Sequence, residues 1–139
     1  MRRAICLFFV LAFLLSGASL AEIRKPAVAG SFYPADYQQL SYQVNKLLDN
    51  VPTQEIKGEP TALIVPHAGY PFSGQVAAWA YKQLAGRSFD TVILIGSSHQ
   101  LGFNGIALPG YDAFETPLGK VPVDKEFIAK LIKLNDKFV

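Results

Sequence analysis

Between Pro34 and Pro52 the apolar residues Leu40, Val44, Leu47 and Leu48 recur at i, i+4, i+7 and i+8. That spacing predicts an amphipathic helix ending before Pro52, with Gln38, Gln39, Gln43 and Asn45 turned to water. Residues 61–66 then form a short apolar run closed by Pro66, too brief for a helix and suited to a buried strand. From Gly74 the helical spacing returns in Val76, Ala77, Ala80, Tyr81 and Leu84, with Gly86 placed as a stop. Residues 90–96 are a second strand, rich in β-branched side chains. Strand, helix and strand in succession predict a βαβ unit with parallel strands and a right-handed crossover. Farther on, Asn104-Gly105 is a turn before a short strand at 106–108, and Asp124 is placed to cap a last helix carrying Phe127, Ile128 and Leu131. No repeat or linker divides residues 22–139, so they are expected to form one α/β unit.

The amino terminus follows a different pattern. Residues 4–15 are uninterruptedly apolar behind Arg2 and Arg3, too short a run to span a bilayer comfortably, and Ser19 and Ala21 supply the small residues that precede a signal-peptidase cut. Residues 1–21 are therefore expected to be a secretory signal cleaved after Ala21, which directs the protein to the periplasm or the exterior. Its removal changes the charge. The net +2 of the whole chain comes from Arg2 and Arg3, and the 11 acidic residues balance the cations left. A neutral chain without basic runs has no electrostatic footprint for nucleic acid or for an anionic membrane. Cys6, the single cysteine, goes with the signal, so residues 22–139 hold no thiol for a disulfide, a nucleophile or a metal ligand.

Candidate chemistry concentrates on the two histidines. His67 and His99 each follow the carboxyl end of an expected parallel strand, the edge at which open α/β sheets bind ligands. Loops leaving one edge can bring two imidazoles to a single metal ion, and a carboxylate as third ligand would leave positions open for substrate. The alternative is two separate loop histidines that hydrogen-bond the backbone, and the separation of the pair matches no compact metal motif. Residues 69–74 imitate the front of a phosphate-binding loop, but Gln75 and Val76 stand where Lys and Ser/Thr are required. Gly69 and Gly74 are then read as permitting a tight turn. Ser97 and Ser98 lack a strained nucleophile elbow and are read as hydroxyls that orient His99 or a ligand. Asp112 and Glu115 either reach the same edge or are solvated loop charges. Phe32, Tyr33, Tyr70 and Phe72 either line an apolar ligand pocket or pack in the core.

Several strings of the chain, taken in order and spacing, resemble one family. They are residues 29–34 (Ala-Gly-Ser-Phe-Tyr-Pro), Pro66-His67-Ala68-Gly69-Tyr70 with Ser73-Gly74, Gly96-Ser97-Ser98-His99, and Thr116-Pro117-Leu118-Gly119 with Val123-Asp124. Together they resemble the amino-terminal half of the Memo family, whose bacterial members are called AmmeMemoRadiSam system protein B. The resemblance implies a fold like that of class III extradiol ring-cleavage dioxygenases, an α/β sandwich around a mixed sheet. It implies that His67 and His99 are two ligands of the family site, with iron or copper as the candidate metals. A third ligand, a cysteine in some members, comes in that family from the carboxyl-terminal half, so residues 22–139 are expected to be the amino-terminal part of one truncated Memo-like domain. Two functions follow from the resemblance. One is a metal-dependent redox enzyme; the other is a module binding a peptide or small molecule, with Phe32, Tyr70 and Ser98 as the ligand-contacting residues. A role beside AMMECR-type and radical SAM partners is suggested by the bacterial family name alone.

Overall fold

The computed structural model describes residues 21–52, 54 and 56–138. All but Ala21 of the expected signal segment, Cys6 included, lies outside the described residues. The first helix, α1 (Tyr37–Asp49), is the one the 40/44/47/48 spacing predicts. Asp36 opens it by accepting a 2.9 Å hydrogen bond from the Gln39 N–H, one of the donors that a helix start leaves without a partner. Leu40 is buried, and so is Val51 just past the helix end.

The second helix, α2 (Tyr70–Tyr81), begins four residues earlier than the apolar spacing from Gly74 suggests. Pro71 explains the difference. In the first turn its missing N–H costs nothing and its fixed φ suits the helix. Gly74 therefore lies inside the helix rather than in a tight turn, and its lack of a side chain serves packing: a Cβ there would stand 2.9 Å from Leu47 Cδ1 of α1. Gln75 Nε2 donates to Leu47 O across the same seam at 3.2 Å, and Ala78 is buried in it. The helix tightens into a 3-10 turn (Lys82–Leu84) and ends at Gly86, whose φ of +77° favours glycine.

Three short strands make one mixed sheet in the order β1 (Ile23–Arg24), β2 (Ala113–Thr116), β3 (Gly119–Pro122). β1 runs parallel to β2 with Ile23 opposite Ala113, and β2 and β3 form an antiparallel hairpin from Ala113↔Pro122 to Thr116↔Gly119. The Thr116 hydroxyl organises the hairpin turn by accepting from Leu118 N–H and donating to Gly119 O, each at 3.2 Å. Ion pairs from Lys25 to Glu115 and from Lys125 to Asp112 tie the sheet at both ends. The last helix, α3 (Lys125–Leu134), is capped as expected, with Asp124 accepting from Phe127 N–H at 2.8 Å and from the Thr91 hydroxyl at 2.9 Å. The short strand expected at 106–108 reduces to one parallel bridge, Ile106 to Phe138.

The two apolar runs expected to be the strands of a βαβ unit, 61–66 and 90–96, carry no ladder. Neither takes part in a backbone hydrogen bond among the described residues, and their side chains are open, with Ile64 100% and Ile95 94% exposed. A strand requires a neighbour to accept its N–H groups, and residues of this kind, apolar on consecutive positions, require cover on both faces. The described structure supplies neither. The observed class is α/β, with a small mixed three-stranded sheet and three helices.

Two measurements check this account. Gly105 has a φ of +125°, and a Cβ there would lie 2.6 Å from the Lys137 carbonyl oxygen. Gly105→Ala is therefore expected to lower the unfolding free energy by about 1–3 kcal/mol. Gly74→Ala, which meets only a movable leucine methyl at its closest point, should cost less; urea denaturation ranks the two. The second concerns acid. Hydrogen bonds from Glu22 N–H and then Lys125 hold Asp112 below the usual carboxylate range, Lys25 does so for Glu115, and the Phe127 N–H followed by the Thr91 hydroxyl does so for Asp124. Carboxyls depressed by folding contribute stability that is complete above their ordinary range and is lost as pH falls through it toward the folded values. The melting temperature is expected to drop steadily below about pH 4, and the slope of that drop to be shallower in Asp112→Asn.

Candidate functional site

His67 stands on the corner between the first apolar run and α2, and short contacts hold that corner. The Ser73 hydroxyl, on a nearly buried side chain, donates to Ala68 O at 2.7 Å and lies 3.4 Å from Gly69 O. Tyr70 N–H donates to Phe32 O at 2.8 Å, and a Cβ on Gly69 would come within 3.4 Å of the Phe32 backbone, so the 28–33 turn sits against the start of α2. His99 lies in the loop after the second run. There Ser98 Oγ donates to Leu101 O at 2.6 Å and accepts from Leu101 N–H at 3.2 Å, which folds the loop back on itself. Ser98 thus shapes the loop bearing His99 through Leu101 and makes no hydrogen bond to either histidine.

The two corners bring the histidines together. His67 Nε2 and His99 Nε2 are 2.9 Å apart, with ring centroids 5.1 Å apart and planes tilted by 41°. At that distance the nitrogens are within hydrogen-bonding reach, with donor and acceptor set by the ring tautomers. Both rings are exposed, so an ion can approach them from solvent. Nitrogens this close could be brought onto one divalent ion that accepts neutral imidazole, with the rings turning from their nearly end-to-end arrangement to do so. Among the described residues no group of three or more His, Cys, Asp or Glu side chains forms around them. Asp112 and Glu115 are not at the pair. They are committed to Lys125, Glu22 N–H and Lys25 on the sheet.

Beside His67 a mostly apolar cavity of about 620 Å³ opens between α1, α2 and the 28–33 turn, with Phe32, Tyr33, Leu47, Tyr70 and Tyr81 in its wall. Tyr33 and Tyr70 stack at 5.6 Å with a 45° tilt. Burial, followed by the neighbouring phenols of Tyr33 and Tyr81, pushes the Tyr70 hydroxyl up, so it is a neutral hydrogen-bonding group at physiological pH. Phe32 and Tyr70 therefore share one cavity with His67, whereas Ser98 and Phe72, the latter 87% exposed, do not line it. Sequence reasoning gave no site role to Ser73, Val28 or Leu118, which also line the cavity. The signal for Ser73 was present: a serine in the first turn of a glycine-capped helix has its hydroxyl within reach of the preceding carbonyls.

A family model described as Memo-like protein matches residues 24–139. The chain belongs to the Memo family. It is 40% identical over 112 residues to a MEMO1 family protein of Aquifex aeolicus, which covers 81% of this chain and 40% of the relative. It is 43% identical over 125 residues to a MEMO1 family protein of Pyrobaculum arsenaticum, covering 85% and 44%. With the Protein memo-1 homolog of Caenorhabditis elegans it shares 38% over 108 residues, 78% of this chain and 30% of that protein. The chain thus spans less than half the length of these relatives. The strings that carry the Memo resemblance coincide with the features that shape the site: the turn closed by Gly30 N–H to Tyr33 O, the His67 corner, the His99 loop and the 116–119 hairpin.

If the Ser73 hydroxyl fixes the His67 corner, Ser73→Ala should cost about 1 kcal/mol of stability. It should also speed hydrogen exchange at residues 68–70 while leaving exchange in α3 unchanged. Mass-resolved exchange separates that local effect from general loosening.

Proposed function

We propose that His67 and His99 are two ligands of a divalent metal centre in a Memo-family redox protein, and that the adjacent cavity receives a small, largely apolar substrate. The 2.9 Å approach of the two Nε2 atoms supports this reading most directly. Iron and copper are the candidate metals, both of which accept neutral imidazole. Iron or copper held there would supply one-electron or dioxygen chemistry. The chain's own residues do the rest. The two rings bring their Nε2 atoms together, Ser73 and Ser98 hold the corners bearing them, and Tyr33 and Tyr70 offer aromatic faces to a ring-shaped ligand in the cavity beside His67. On this reading the remaining ligand comes from the part of the Memo fold that this chain's match leaves out. The fold would then be completed as the dioxygenase-like sandwich and the protein would act in the periplasm or outside the cell.

A second reading has its own support in the cavity, whose aromatic wall would bind a small molecule or peptide side chain with no metal present. Association with AMMECR-type or radical SAM partners is compatible with either reading.

Metal titration followed by elemental analysis distinguishes them. The wild-type chain is expected to take up iron(II) or copper(II), and His67→Ala and His99→Ala should each weaken that uptake at least about tenfold. Circular dichroism should be unchanged in both, since exposed loop side chains contribute little to the core. Equal metal stoichiometry in wild type and both variants would falsify the shared centre. Metal-free affinity for aromatic ligands, lost in Tyr70→Ala and retained in His99→Ala, would establish the binding module in its place.

A further inference from the structure

Glu22 is where two separate features of the chain meet. In the sequence it directly follows Ala21, with Ser19 and Ala21 as the small residues behind the apolar run. In the fold it leads into β1, and its backbone is engaged twice by one residue. Glu22 N lies 2.7 Å from Asp112 Oδ2, and Glu22 O accepts from Asp112 N–H at 2.8 Å. These bonds begin the β1–β2 pairing that continues through Ile23↔Ala113 and Arg24↔Phe114. The other oxygen of the same carboxylate, Oδ1, is 3.1 Å from Lys125 Nζ on α3. Ala21 itself is exposed and outside the strand.

We propose that cleavage after Ala21 makes the Glu22 nitrogen the amino terminus of the exported protein, and that Asp112 is the built-in acceptor for the α-ammonium so created. Hydrolysis breaks the bond from the Ala21 carbonyl carbon to the Glu22 nitrogen: the hydroxyl of water goes to that carbon, its remaining proton goes to the nitrogen, and the amine so formed binds a further proton at neutral pH. The amide N–H already pointing at Asp112 becomes one of three ammonium protons, and the bond to Oδ2 turns from a neutral-donor bond into a charge-assisted one without any backbone movement. Asp112 then joins three elements through charge: the new terminus before β1, the entry to β2, and α3 through Lys125. The hydrogen bond from Glu22 N–H is already the largest influence holding Asp112 below the usual carboxylate range. The other charged groups on these strands are the Glu22 side chain, Arg24 two positions along β1, and the Lys25–Glu115 pair three positions along. A chain that keeps its leader has a neutral amide at this position, so the complete clamp belongs to the processed form alone. None of this depends on the metal centre.

The test expresses the full 139-residue chain in a bacterium that exports it and begins with the intact mass. The mature protein is expected to start at Glu22. Its α-amine, followed by NMR titration, should have a pKa about half a unit or more above the usual 7.7–8.0 for that group. The elevation should shrink in about 1 M salt and disappear in Asp112→Asn. If Asp112→Asn fails to fold, Lys125→Ala serves as the second variant: removing the competing cation should raise the α-amine value further. A mature start at any other residue overturns the proposal. So does an α-amine titrating within its ordinary range in the wild-type protein.

Discussion

Leu47 and Gly74 set the spacing between α1 and α2, and the corner that carries His67 depends on that seam. Because residue 74 has no side chain, the Leu47 methyls can occupy the groove of α2, and the helices approach closely enough to bury Leu40, Val51, Ala78 and Ser73. Gln75 reinforces the contact by reaching the free carbonyl of Leu47 at the end of α1, and Asn50 in turn donates to Gln75 at 3.3 Å. The start of α2 is thereby fixed relative to α1. With it is fixed the corner at 67–69, because Ser73 ties that corner to the same helix turn. The direction in which His67 leaves the backbone is thus a consequence of helix packing one turn away.

Among the described residues the second half of the site has no comparable support. Residues 90–96 are linked to the rest by the Thr91 hydroxyl on Asp124 and, upstream, by the ion pair of Arg87 with Glu59. Between those ties and His99, Val92, Ile93, Leu94 and Ile95 are all more than half exposed. Exposed apolar residues in such a continuous row are unusual for a soluble surface and are the sort that a sheet covers from both sides. The Memo relatives are more than twice as long as the span matched here. In physical terms the runs carry the composition of central strands without the hydrogen-bonding neighbours that would make them strands.

This difference marks what could be read in the sequence. α1 was legible from its apolar stripe at helical spacing and α3 from its acidic cap and apolar residues, signals that act within a few residues. The start of α2 was misplaced because apolar spacing was weighed above Pro71, although the proline carried the better boundary signal. β1, β2 and β3 were not identified at all. Two residues at 23–24 make no pattern, and their pairing with 113–114 joins positions ninety residues apart through backbone groups that every residue possesses. The histidine pair was legible as a possibility from two strand ends, yet the ends meet here without the ladder that suggested it. Ser98 was assigned to the right loop but bonds Leu101, a choice made by a backbone turn that side-chain chemistry does not encode.

An ion shared by His67 and His99 would act on this architecture as well as on a substrate. It would cross-link residues thirty-two apart, tying the well-held corner at α2 to the poorly held loop after residue 96. Binding to the folded arrangement alone would add its own free energy to stability. The second apolar run would gain a fixed end at His99, from which pairing with a neighbouring strand needs less ordering of the backbone. Metal binding and completion of the sheet would then be linked equilibria, each favouring the other by the same factor. For a centre with one histidine on a packed helix corner and the other on an open loop, affinity for the ion depends on the fold around residues 90–96 as much as on the two imidazoles.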